Sequence, residues 1–127
     1  MKIYGIGTDI VNISRIKKSI KNKKFIERVF NKLEIKGCNN KIAKENHYAK
    51  RFAAKEAFSK ALGTGISKKI NFKEIVIYNE KSGLPKIKLT GETKLIINKI
   101  IRFRKIKIFL SLSDDKPFAL ATVVITI

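Results

Sequence analysis

The sequence predicts an α+β fold, a mostly antiparallel sheet packed against one long and several short helices. Three observations carry that expectation: β-branched runs open and close the chain, a long helix-periodic stretch fills its middle, and the later strands come in two pairs, each joined by a turn. With 127 residues, 44% of them apolar and 31% charged, the chain holds one hydrophobic core and reads as a single domain over 1–127.

The run Ile3 to Ile13 is rich in β-branched residues and carries Gly5 and Gly7, which suits a strand approached closely by another backbone near its start. Ser14 is placed to cap a short helix whose Ile16 and Ile20 lie one turn apart, leaving Arg15, Lys17, Lys18 and Lys21 in solvent. Phe25, Ile26, Val29, Phe30 and Leu33 share helical spacing, and the stretch KGCNN from Lys36 to Asn40 breaks that second helix. The longest helical signal runs from Lys41 to Leu62, with Ala49, Phe52, Ala53, Ala57, Phe58, Ala61 and Leu62 as packing positions. Gly63 and Gly65 end it. Short strands from Glu74 to Tyr78 and Pro85 to Leu89 flank a turn at Glu80 to Gly83, and a helix covers Glu92 to about Phe103. Two final strands, Lys107 to Ser113 and Phe118 to Ile127, are joined around Asp115, Lys116 and Pro117. The last is nearly all apolar or Thr, so it belongs at the sheet centre or covered on both faces.

No window approaches the roughly 18 apolar residues of a membrane span, and MKIYGIGTDI lacks a signal-peptide pattern, so a soluble cytoplasmic protein is expected. One cysteine, Cys38, excludes an internal disulfide, and with His47 as the single histidine no Cys/His zinc cluster can form. The 29 Lys and Arg against 10 Asp and Glu give a net charge of +19, which predicts an acidic or phosphate-bearing partner. Part of that excess is compositional, since 24 Lys, 22 Ile and 9 Asn are the residues of A/T-rich codons. Charge alone therefore leaves two classes standing, a basic nucleic-acid-binding protein without catalysis and an enzyme with an anionic substrate. An RNP-like aromatic run and an arginine-rich stretch are both lacking, so nucleic acid is not the expected partner.

Two places carry chemistry. Gly5-Ile6-Gly7-Thr8-Asp9 starts like a dinucleotide fingerprint, but Ile10 fills the place of the third glycine. Asp9 in an otherwise apolar strand needs a cation or hydrogen bonds, and a turn cap or a simple basic partner would also satisfy it. In RFAAKEAFSKALGTG, Phe52, Glu56, Lys60 and Gly63 fall near one helix face. That face offers a metal ligand and a phosphate clamp, or an ordinary i,i+4 Glu-to-Lys surface pair. The loop Gly63 to Lys69 follows a helix, so it is no Walker loop.

Together GIGTDIVNISRI, RFAAKEAFSKALGTGI, SGLPKIKLTG and SLSDDKPFALATVVI, in this order and spacing, resemble holo-acyl-carrier-protein synthase, the small bacterial 4′-phosphopantetheinyl transferase family. The resemblance implies the fold of that family and a Mg²⁺-dependent transfer of the 4′-phosphopantetheine arm from coenzyme A to a serine of acyl carrier protein, in fatty acid biosynthesis. Adenosine 3′,5′-bisphosphate is the other product. By the same resemblance Asp9 and Glu56 are the metal ligands, and Lys60 contacts phosphate. Gly63 with Gly65 lets backbone approach the nucleotide, and Arg51 and Pro85 are nucleotide-side contacts. Glu56 and Lys60 carry catalysis, the serine proton going to Glu56 or to a metal-bound water. Arg15, Lys18 and Lys21, with Lys24, are implied to meet the acidic carrier, and a homotrimer with intersubunit active sites is implied as the assembly.

Three residues fall outside that mapping. Cys38 sits in an expected loop with no catalytic role, and His47, four residues before Arg51 on the long helix, either reaches the nucleotide or lies at the surface, the surface being the expected place. Asp114 stands where the family usually ends its Ser-x-Ser strand with His, and its charge is expected to repel a nearby phosphate unless it turns away or a lysine such as Lys116 offsets it.

Overall fold

The computed structural model describes residues 1–63, 70–102 and 104–127. Gly65, the rest of the loop to Lys69, and Phe103 lie outside them.

Strand β1 (Ile3–Asn12) is followed by three short helices, α1 (Ile13–Ser19), α2 (Lys23–Val29) and α3 (Lys32–Asn39), and then by the long α4 (Lys44–Leu62). A 3₁₀ turn, Phe72–Glu74, leads into the hairpin of β2 (Ile75–Asn79) and β3 (Pro85–Leu89). Helix α5 (Gly91–Ile100), β4 (Lys107–Asp115) and β5 (Phe118–Thr126) complete the chain. All strand pairings are antiparallel, but they make two sheets rather than one: β1-β5-β4, and the separate β2-β3 pair. As its composition requires, β5 is central, pairing Asp9 with Ala121 on one side and Ser111 with Thr122 on the other.

Helix α4 lies across the inner face of the three-stranded sheet because both surfaces are small there. Ala53, Ala57 and Ala61 are buried against β1 and β5, and a Cβ at Gly7 would collide with the Ala57 carbonyl oxygen and stand 2.7 Å from the Ala61 nitrogen. Gly5 meets the Ala61 carbonyl in the same way. The close approach read from these glycines is what the strand provides. A core of Phe58, Leu62, Ile75, Ile77, Ile97 and Val123 fills the space between α4, the sheets and α5. A second cluster under α1 to α3 is built on edge-to-face rings, Phe30 against Tyr48 at 4.9 Å and Phe25 against Phe30 at 6.2 Å.

Three expectations are corrected here. Asn12, not Ser14, caps α1: its Oδ1 accepts from the Ser14 and Arg15 amides, and the Ser14 hydroxyl donates to it as well. The single helix expected from Phe25 to Leu33 is two, broken at Phe30, and KGCNN is largely helical within α3. The cause is a capping box in which Asn31 Oδ1 accepts from the Glu34 amide while Glu34 Oε1 accepts from the Asn31 amide, restarting the helix at Lys32. Leu33 is consequently 75% exposed. The long helix begins at Lys44 rather than Lys41, after Ala43 in the left-handed region at φ 52°.

Candidate active site

In β1, alternation puts Gly5, Gly7 and Asp9 on the side facing α4, so the strand that comes closest to the helix also delivers a carboxylate to it. Lys60, in the last turn of α4, reaches over: its Nζ donates to Asp9 Oδ1 at 3.1 Å and to the Thr8 carbonyl at 3.0 Å. Glu56 stands one turn earlier. The i,i+4 pair of Glu56 with Lys60 does not form, because Lys60 is taken by Asp9. Burial, and next the negative charge of Asp9, push the Glu56 carboxyl above its ordinary range, while Lys60 and Arg15 pull it down. Two carboxylates thus share a small volume with one ammonium. Gly63 closes the helix at φ 100°, a backbone conformation open to glycine and strained for other residues, with its amide donating to the Lys60 carbonyl.

A second constellation lies further back along α4. Arg51 and Pro85 line one groove of about 360 Å³ together with Lys41, His47, Lys50 and Leu112. Arg51 is underemployed there: its Nη1 and Nη2 make long contacts of 3.4 Å to the His47 carbonyl and Asn79 Oδ1, and its buried Nε has no partner. His47 is half-buried and lines this groove at the surface. Burial, then Lys50, Arg51 and Lys41, lower its pKa, so the imidazole is neutral at pH 7 and the cations of the groove are lysine and arginine. Asp114 does not stand bare: Lys50 Nζ lies 3.1 Å from its Oδ1, and Asn46 Nδ2 donates to Oδ2 at 3.4 Å. The offsetting lysine is Lys50 rather than Lys116.

Arg51 and Lys60 are nine residues apart, which on a helix is about 13 Å of rise and a half-turn of rotation. Within one chain the two constellations face opposite ways. Arg15 and Lys18 are exposed on α1, whereas Lys21 falls in the turn after it and Lys24 in α2. Cys38 is buried in α3, not in a loop, and burial pushes its thiol up to about 11, which leaves it unreactive.

Residues 5–122 match the family model for the 4′-phosphopantetheinyl transferase superfamily. The chain belongs to that superfamily. Among its members the chain is 47% identical over 125 residues to the holo-[acyl-carrier-protein] synthase of Pelagibacter ubique strain HTCC1062, with 98% of each covered. The crystal structure of the Neisseria meningitidis holo-[acyl-carrier-protein] synthase matches with a TM-score of 0.85 at 36% identity, covering 98% of this chain and 99% of that one. The Bacillus anthracis synthase, solved in complex with CoA (3′,5′-ADP), matches with a TM-score of 0.79 at 35% identity over 98% and 97%. These 4′-phosphopantetheinyl transferase relatives share the α+β fold over nearly the whole chain, and the nucleic-acid reading finds no counterpart among them.

Sequence reasoning missed Lys41, Lys50 and Asn79 as groove residues. As single members of a lysine- and asparagine-rich composition they carried no signal. It also missed the buried pair of Glu34 and Lys55, which fixes the helix bearing Glu56.

Proposed function

We propose that the chain, as one transferase domain, moves the 4′-phosphopantetheine arm from coenzyme A to a serine of apo-acyl carrier protein in the cytoplasm, releasing adenosine 3′,5′-bisphosphate. The observation that carries this is the convergence of Asp9, Glu56 and Lys60 where β1 touches α4, in a chain 47% identical to a named holo-[acyl-carrier-protein] synthase.

The carrier serine attacks the phosphorus bearing the pantetheine arm, and the bond to the nucleotide-side bridging oxygen breaks. Asp9 and Glu56 fit Mg²⁺: two neighbouring carboxylates, one of them raised above its ordinary range by burial first and by the other's charge second, favour a hard dication. Among the described residues no group of three His, Cys, Asp or Glu competes for a softer metal. When bound, the ion neutralises pyrophosphate charge. Lys60 holds Asp9 in place and brings an ammonium, 57% exposed at its side chain, to the phosphate. Glu56, placed beside Asp9 and Lys60, is the side chain suited to take the serine proton, and its carboxyl is raised above its ordinary range, by burial and then by Asp9, in the metal-free chain.

The nucleotide end belongs in the groove of Arg51 and Pro85, whose free guanidinium valences suit a phosphate. Because Arg51 and Lys60 face opposite sides of α4, one coenzyme A uses Arg51 from one copy and Asp9, Glu56 and Lys60 from the next. The outer face of the three-stranded sheet supports such self-association, a homotrimer. Ile6, Ile10, Phe109, Phe118 and Leu120 lie there, between 40% and 61% exposed, with Ile10 beside Leu120 in register. Arg15 and Lys18 face the acidic carrier.

The test is incubation with coenzyme A, Mg²⁺ and apo-carrier, following the carrier's mass. A carrier whose mass does not rise with any divalent metal removes the activity. Thermal shift with coenzyme A against RNA separates this reading from nucleic-acid binding, since only a ligand of the folded state raises the midpoint. Among the described residues no helix is long and apolar enough to cross a membrane.

A further inference from the structure

A carboxylate beside an anion groove is an apparent contradiction, and the surroundings of Asp114 resolve it. Asp114 sits at the end of β4, opposite Ala119 of β5, and both of its oxygens are engaged from α4: Oδ1 by Lys50 Nζ at 3.1 Å, Oδ2 by Asn46 Nδ2 at 3.4 Å. Lys50 lines the groove with Arg51, Lys41 and His47, and the field of Asp114 reaches the His47 imidazole. Both side chains of the ion pair are partly shielded, Lys50 at 21% and Asp114 at 31% exposure, so solvent screens their charges incompletely.

We infer that Lys50 is a charge shield rather than an anion ligand: it neutralises Asp114 at the groove wall, so that among the described residues of the groove Arg51 and Lys41 are the cations left to receive the phosphate end of the nucleotide. The inference rests on the proposal that coenzyme A occupies this groove. While the pair is intact, Lys50 cancels the Asp114 charge at the groove wall. Asp114 ties the end of β4 to α4 and holds Lys50 where its charge is spent internally. Removing the shield exposes a carboxylate to the phosphate, and removing shield and carboxylate together restores the balance.

The experiment is calorimetry of coenzyme A binding to the full chain with Mg²⁺, for wild type, Lys50→Met, Asp114→Asn and the double variant, with kcat and both KM values alongside. One bare charge several ångströms from a phosphate, at intermediate dielectric, weakens binding about tenfold, so Lys50→Met is expected to lose about that factor, with a smaller loss at high salt. Asp114→Asn alone leaves the Lys50 charge uncompensated on the groove wall and is expected to tighten binding by up to about tenfold, and the double variant returns to within about threefold of wild type. The coenzyme A KM follows these shifts while the carrier KM stays put. A double variant as weak as Lys50→Met overturns the inference and makes Lys50 a direct phosphate contact. An unchanged Lys50→Met overturns it too. If Lys50→Met loses its fold by circular dichroism, Lys50→Gln takes its place. Wild-type protein that is folded and ignores coenzyme A rejects the function itself, a result distinct from failed rescue.

Discussion

Lys55 and Glu56 are consecutive on α4, yet their charges are handled in opposite ways. Lys55 is fully buried, and its three donors are spent: on the Val29 carbonyl at 2.8 Å, Glu34 Oε1 at 2.7 Å and the Phe72 carbonyl at 2.7 Å, with the Phe30 ring 5.3 Å away. Glu34 in turn accepts from the amides of Asn31 and Ile77. Burial pulls the Lys55 ammonium down to about 8, against the opposing pull of Glu34, so it is still charged at pH 7. On the other side, Glu56 is half-buried beside a second carboxylate, and among the described residues it has no ion-pair partner. A saturated cluster ties α2, α3, α4, the 3₁₀ turn and β2 together. An unsaturated one is left to meet a ligand. What separates structural from functional charge here is free hydrogen-bonding capacity rather than residue type.

The sharpest way to break the comparison is to open the saturated cluster. Lys55→Met strands a buried Glu34 and two carbonyls, and should destabilise the fold by about 3–5 kcal/mol in denaturant unfolding. Adding Glu34→Met should recover only part of that, because Glu34 also caps α3 and binds the Ile77 amide. A Lys55→Met loss below about 1 kcal/mol would mean the pair is not the tie described. The opposite response is expected at the other cluster. Asp9→Ala should leave the chain folded and lower transfer at least a hundredfold, on the order of 3 kcal/mol in transition-state binding. Near wild-type turnover would remove Asp9 from the proposed metal site.

The two clusters also differ in how far the sequence revealed them. Asp9 and Glu56 stood out because an aspartate in an apolar strand and a carboxylate one turn before a lysine are local patterns. Gly5 and Gly7, four and two residues from Asp9, announced the backbone approach that joins them. The pair of Glu34 and Lys55 spans 21 residues, and each looked like one more solvated charge in a chain with 31% of them. A signal did exist: Asn31-x-x-Glu34 is the sequence form of a capping box, and reading it would have split the second helix and fixed Glu34 against the core. The strands and α4 were legible because β-branched runs and alanine-rich helical spacing are strong over their full length. That the strands form two sheets was not, since pairing partners are chosen by packing against α4 and not by local composition.

Arg15 sharpens the contrast from outside. It is exposed on α1, but its charge lowers the pKa of Glu56, so it lies within electrostatic reach of the site. Arg15→Glu should weaken carrier binding by about 1–3 kcal/mol, the range for losing a charge pair and adding a repulsion, with coenzyme A affinity nearly unchanged in calorimetry. It should also raise the Glu56 pKa further, because an attractive charge becomes a repulsive one. Equal losses for carrier and coenzyme A would place Arg15 in the nucleotide site instead.

The smallest effect concerns Glu56 in the absence of metal, and its sign is fixed by linkage. The folded-state pKa lies above the ordinary 4.5, through burial first and Asp9 second, so the folded chain binds a proton more tightly at Glu56 than the unfolded chain does. Stability from this group is fully present below 4.5 and is lost as pH rises through the raised folded value. At pH 7 the ionised Glu56 therefore works against folding. Glu56→Gln, which keeps shape and removes charge, should raise the metal-free Tm at pH 7 by about one to three degrees and change it little at pH 4. Lys55→Met, by contrast, should lower the Tm at both values. Mg²⁺ should stabilise wild type more at pH 7 than at pH 5, since ion and proton compete for the same carboxylate, and Glu56→Gln should abolish most of that difference. A Glu56→Gln variant less stable than wild type at pH 7 would mean that Glu56 is as fully satisfied as Glu34, and the distinction between the two faces of α4 would fail.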